Sequence, residues 1–92
     1  MPIIEKKIVV ANKKGLHARP AAMFVQMVTK YDVQVTVAKD DEKVNGKSIM
    51  GLLTLGAVFN THLTVTVEGN EAEVAMNAFE VFLSKQEEEF LT

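Results

Sequence analysis

The chain has 92 residues, of which 48% are hydrophobic, enough for one compact domain over residues 1–92 whose core needs no covalent staple. It holds no cysteine and carries a net charge of −2, which excludes disulfides, thiolate metal sites and thiol nucleophiles and argues against a general nucleic-acid binder. No apolar run approaches the roughly 20 residues needed to cross a bilayer. The start, Met1-Pro2-Ile3-Ile4-Glu5-Lys6-Lys7, lacks the charged-then-apolar order of a signal peptide, so a soluble cytoplasmic protein with no membrane insertion is expected.

In chain order, the β-branched run within residues 5–11 predicts a strand with Ile8 and Val10 on one face. Asn12-Lys13-Lys14-Gly15 is a polar loop. Residues 18–31 repeat apolar side chains at helical spacing, with Ala21, Phe24, Val25 and Val28 on one stripe. Pro20 is tolerated because first-turn N–H groups have no intrahelical acceptor. Val33-Gln34-Val35-Thr36-Val37 alternates as a half-buried strand, residues 39–42 form a charged turn, and Lys43-Val44-Asn45 returns as a short strand. Ser48 precedes a short apolar helix over residues 49–55, ended by Gly56. His62 to Glu68 alternates again, with Leu63, Val65 and Val67 inward, and Gly69-Asn70 makes a turn. From Glu71 onward Ala75, Met76, Phe79, Phe82 and Leu83 mark a last amphipathic helix. The acidic run Glu87-Glu88-Glu89 reads as a solvated helix end or fraying tail. The order is βαββαβα. Inward valines opposite Thr, Gln or Lys predict an open-faced α+β sandwich, a four-stranded antiparallel sheet with three helices on one face.

The stretch Gly15-Leu16-His17-Ala18-Arg19-Pro20-Ala21-Ala22 carries the chemistry. It sets an imidazole where a loop becomes a helix, with a guanidinium two residues later. A helix start presents N–H groups without intrahelical partners and the positive end of the helix dipole, so the group can hold a phosphate or another compact anion. Imidazole is largely neutral at cytosolic pH and can act as a nucleophile. On residue types alone, a capping or simply exposed histidine is the competing reading.

The whole stretch resembles the active-site signature of the HPr family, the histidine-containing phosphocarriers of the phosphoenolpyruvate-dependent sugar phosphotransferase system. Asn45-Gly46-Lys47-Ser48-Ile49-Met50-Gly51-Leu52 resembles that family's regulatory serine segment, and the βαββαβα order is also that family's fold. The resemblance implies that His17 accepts a phosphoryl group on Nδ1 from phosphorylated enzyme I and passes it to an enzyme IIA. It implies that Arg19 and the amides at the helix start steady the group, with no metal or other cofactor. Such a carrier is a relay substrate rather than a free-standing enzyme. Ser48 is then the candidate regulatory phosphosite for an HPr kinase/phosphorylase.

Ser48 is equally suited to cap its helix. A phosphate there would add about −1.5 to −2 charge and repel an acidic partner. Ala22, Ile49, Met50 and Leu53 are candidate docking residues, whereas Leu52 and Leu55 read as core. Met23 and Met27 flank the core, and His62 is an ordinary surface histidine. Alternatives to the sugar-transport carrier are a nitrogen-type carrier with a regulatory role, a module acting through phosphorylated Ser48 on a transcriptional regulator, and an anion-binding domain without transfer. A relay must dissociate quickly from its partners, so a monomer is expected.

Overall fold

Residues 2–85 are described by the computed structural model. Period-2 alternation resolves into four strands: β1 (Ile3–Val9), β2 (Gln34–Lys39), β3 (Glu42–Asn45) and β4 (His62–Glu68). Period-3.6 apolar spacing resolves into three helices: α1 (Ala18–Val28), α2 (Ile49–Thr54) and α3 (Ala72–Leu83). The sheet runs β1-β4-β2-β3, and each neighbouring pair is antiparallel. The register sets Val65 opposite Val37 and Val67 opposite Val35. Leu63, Val65, Val67, Val35 and Val37 are all buried, while Gln34 and Thr36 between them are exposed. Helices therefore cover one face, as the alternation predicts.

Beneath the helices lies a single cluster of buried residues. Phe24 of α1 meets Phe79 and Phe82 of α3, with ring centroids 5.1 and 6.2 Å apart, and Tyr31 packs edge-on against Phe79. Tilted and edge-on rings set the positive ring edge against a negative face, which adds to their area burial. This seam holds α1 in place from behind, leaving its start at the surface. No helix among the described residues is long and apolar enough to cross a membrane.

Several boundaries differ from the expected ones, each for a local reason. β1 starts at Ile3 and stops at Val9, two residues earlier than predicted at each end, because its register with β4 spans Ile3 opposite Glu68 to Val9 opposite His62. Val10 leaves the ladder and instead exchanges backbone hydrogen bonds with Asn60 and Thr61. α1 ends at Val28 rather than Tyr31; Lys30 and Tyr31 N–H close onto the carbonyls three residues back, tightening the chain into a turn. Val25, expected on the inward stripe, is half-buried at its edge. Val33 is buried but precedes β2, which runs on to Lys39. α2 ends at Thr54 with Leu55 as its C-cap, and Gly56 turns the chain at φ +63°. Glu87, Glu88 and Glu89 lie outside the described residues.

Candidate functional site

β1 and α1 are joined by a loop that is built rather than merely polar. Asn12 is 3% exposed. Its amide Nδ2 donates to Gly15 O at 3.1 Å, its Oδ1 accepts from Lys14 N–H at 3.2 Å, and its carbonyl accepts from Gly15 N–H at 2.8 Å. Gly15 adopts φ +74°, and a Cβ there would stand 2.6 Å from Ala57 O. The loop is thereby clasped to the segment after α2, and Leu16 N–H donates to Ala57 O at 2.8 Å. Lys13 and Lys14 are exposed on its outer side.

His17 then stands at the N-cap of α1 in extended backbone (φ −88°, ψ −168°), half-buried, and its side chain makes no capping hydrogen bond. Intrahelical bonding begins with Ala21 N–H donating to His17 O at 3.0 Å. Ala18 and Arg19 precede that first bond, so their backbone N–H groups belong to the set that a helix start directs outward. Pro20, third in the helix, has no N–H to satisfy and is fully buried. No acidic residue occupies the first turn, and the exposed Arg19 adds a full positive charge to the positive helix pole. Imidazole, guanidinium and oriented amides form a setting complementary to a tetrahedral oxyanion.

α2 borders this site. Ser48 caps it, with Oγ accepting from Gly51 N–H at 2.9 Å, so the capping role expected of this serine is present. At the far end Lys39 Nζ donates to the carbonyls of Leu55 and Gly56 at 3.1 and 3.3 Å, a cation at the negative helix pole. Ile49 and Met50 are exposed at 40% and 70%. Leu53 and Ala22 are half-buried, Leu53 resting on the core, while Leu52 and Leu55 are buried within it. Met23 and Met27 pack against the core's edge and His62 is exposed, each as expected.

Three features escaped the pattern reading. Asn12 sits in a run that looks like an ordinary solvated loop, yet its burial organises that loop. Lys39 was assigned to a charged turn, and its capping role needs the α2 terminus to be near. Val58 and Phe59, exposed at 65% and 44%, fall in a segment with no periodicity, but Val58 Cα lies 3.0 Å from the position a Gly15 Cβ would take. A concavity of about 520 Å³ on β2 and β3, between Gln34–Thr36 and Lys43–Asn45, does not include His17. His17 is half-buried and lies apart from that concavity.

Residues 4–85 match the family described as the PTS HPr component phosphorylation site. The HPr-like protein Crh of Halalkalibacterium halodurans is 42% identical over 84 residues, covering 91% of this chain and all of that one. A crystal structure of the phosphocarrier protein HPr from Bacillus anthracis superposes with a TM-score of 0.84 at 38% identity, covering 89% of this chain and 98% of the other. Crh of Bacillus subtilis, whose crystal structure revealed a swapped dimer, superposes with a TM-score of 0.71 at 38% identity over 87% of this chain and 92% of that one. With its fold, its helix-start histidine and these relatives in agreement, the chain belongs to the HPr family, the phosphocarriers of the phosphotransferase system.

Proposed function

We propose that His17 is the phosphoryl acceptor, taking the group on Nδ1 from phosphorylated enzyme I and passing it to an enzyme IIA of a sugar phosphotransferase system. The observation that carries this reading is a histidine at the N-cap of α1, two residues ahead of Arg19 in a first turn that lacks acidic residues, in a chain of the HPr family. In the forward step the imidazole lone pair forms the N–P bond as the bond to the donor breaks. Arg19 and the amides of the first turn then bear the added negative charge. These contacts are hydrogen bonds rather than covalent ones, so the phosphoryl stays transferable. No cofactor or metal enters the step, and the carrier works in the cytoplasm.

Ser48 is the proposed regulatory phosphosite for an HPr kinase/phosphorylase. α2 is six residues long, about 9 Å, and the segment after it is bonded to Leu16 beside His17. A charge of about −1.5 to −2 placed on Ser48 stands next in the chain to the exposed Ile49 and Met50, within the Debye length of about 8 Å at physiological salt. It repels an acidic partner docking over Ala22, Ile49, Met50 and Leu53. The Lys47-Ser48-Ile49-Met50 segment favours the sugar-type carrier over the nitrogen-type one. A second reading, in which phosphorylated Ser48 presents the protein to a transcriptional regulator, is supported by the likeness to Crh, an HPr named for catabolite repression.

The decisive test adds phosphoenolpyruvate and enzyme I and follows acid-labile phosphate. Labelling that disappears in His17→Ala is expected; labelling that persists rejects His17 as the acceptor. Ser48→Asp should slow enzyme I-dependent labelling, and an unchanged rate rejects the electrostatic switch. Sedimentation at assay concentration should give the monomer mass, and the mass of a dimer like that of Bacillus subtilis Crh rejects the monomeric relay.

A further inference from the structure

Asn12 is the sole buried polar or charged residue among the described residues, at 3% exposed. Connecting loops run over the surface, and an amide buried in one needs its polar atoms satisfied. Asn12 meets that need within a single turn. Oδ1 accepts from Lys14 N–H, Nδ2 donates to Gly15 O, and the backbone carbonyl accepts from Gly15 N–H. The side chain thus uses both halves of its amide, one as donor and one as acceptor.

The bond from Nδ2 falls on the peptide unit between Gly15 and Leu16. Its carbonyl is held by Asn12 at 3.1 Å, and its N–H donates to Ala57 O at 2.8 Å. A peptide unit is planar, so bonds to both its carbonyl and its N–H fix its rotation. Next in the chain, Leu16 is buried in the core, and His17 follows at the N-cap of α1. His17 supplies no side-chain cap, so the chain entering the helix sets the direction of its first turn. Without the Asn12 amide the peptide is held from the Ala57 side alone, and Gly15, at φ +74°, is the residue type that rotates most freely. Aspartate has the same shape and can still accept from Lys14 N–H. It would set an oxygen against Gly15 O, however, and add a negative charge to the loop leading to His17.

We propose that Asn12 is a positioning residue for phosphoryl transfer: through the Gly15–Leu16 peptide it aims His17 and the first-turn amides at the incoming group. Misplacing reacting atoms by about 1 Å costs about a hundredfold in rate, so a small rotation of this peptide is enough to matter. Asn12 acts on the transfer step and leaves the docking surface as it is. The role in transfer rests on the phosphocarrier reading of His17; the hold on the peptide does not.

Single-turnover transfer from phosphorylated enzyme I, with the carrier as the varied substrate, tests the role in Asn12→Ala and Asn12→Asp. Both should lower the saturating rate at least about tenfold, with the half-saturating concentration changed less than about twofold. A raised half-saturating concentration at an unchanged saturating rate overturns the proposal, because partial unfolding or weaker docking produces that pattern. A slowed Asn12→Asp beside an unaffected Asn12→Ala also overturns it, assigning the effect to charge alone. Amide hydrogen exchange in the unaltered chain depends on no variant folding. There, Leu16 N–H should exchange at least about a hundredfold more slowly than in an unfolded chain, and unprotected exchange overturns the proposal. In the folded variants the amide resonances of Leu16, His17, Ala18 and Arg19 should shift and Leu16 exchange should quicken; unmoved resonances overturn it as well. If the unaltered chain takes up no phosphoryl, the carrier reading falls, and the exchange and resonance data still decide whether Asn12 holds the peptide.

Discussion

α2 closes its own start: Ser48 Oγ accepts from Gly51 N–H, and the serine satisfies an amide that would otherwise need a partner. α1 opens on His17, whose side chain makes no such bond, with no acidic residue in the turn that follows and Arg19 two positions on. The same physical feature, a helix N-terminus, is thus used in two ways. In one the cap serves the fold, and only a covalent change at the serine converts it into something else. In the other, the cap residue makes no side-chain capping bond, and on the proposed phosphocarrier reading the helix pole acts on an incoming anion.

What holds the α1 start is the loop before it, so the largest expected effect comes from breaking that loop. Gly15→Ala forces a side chain into a left-handed conformation and against Ala57 O, only 2.6 Å from its Cβ. The conformational term alone is about 1–2 kcal/mol, and overpacking against backbone adds a similar amount. Urea unfolding should therefore show a loss of about 3 kcal/mol. A loss below about 1 kcal/mol would mean the clasp between residues 15 and 57 does not position His17.

Next in size is Arg19→Ala, expected to leave the fold in place and, on the phosphocarrier reading, to remove one charge-assisted contact to the phosphoryl. Such contacts contribute about 1.5–3 kcal/mol. The rate constant for enzyme I-dependent labelling at subsaturating carrier should fall at least about tenfold, with unfolding midpoints nearly unchanged. Arg19→Lys should recover only part of the rate, because an ammonium keeps the charge but loses the planar fork.

Much of this contrast was legible in the chain. Val35, Val37, Val65 and Val67 announce a sheet covered on one face, since a period of two leaves no other way to bury them. The positions of His17, Arg19 and Ser48 at helix starts were legible because helix starts have chemical requirements that short motifs can express. The strand limits were not legible: where β1 begins depends on the register it finds with β4, a long-range pairing. Lys39 and Val58 were missed for the same reason: each is an ordinary residue until a distant segment arrives beside it, the carbonyls of Leu55 and Gly56 for one and the backbone of Gly15 for the other. Asn12 bonds within its own loop, to Lys14 and Gly15, and is set apart by its burial in the folded chain.

The two helix starts can also be compared on stability alone. Ser48→Ala removes a side-chain cap and should cost about 1 kcal/mol. His17→Ala removes a side chain that makes no capping bond and should cost less than half as much, although it abolishes labelling. Equal losses would show that His17 supports its helix as Ser48 does, and the contrast between the two starts would fail.

A further small effect is expected at the opposite pole of α2. Lys39→Met keeps most of the aliphatic stem and deletes the ammonium that reaches the Leu55 and Gly56 carbonyls. A cation at a helix C-terminus contributes about 0.3–1 kcal/mol, reduced by salt. The variant should lose about 0.5 kcal/mol at low ionic strength and less at high. If so, α2 is held at both ends by its own fold, Ser48 at one and Lys39 at the other, while the α1 start has no such side-chain cap. A loss independent of salt would instead assign the contribution of Lys39 to packing of its stem, leaving the α2 C-terminus without an electrostatic cap and narrowing the contrast between the helices to their starts.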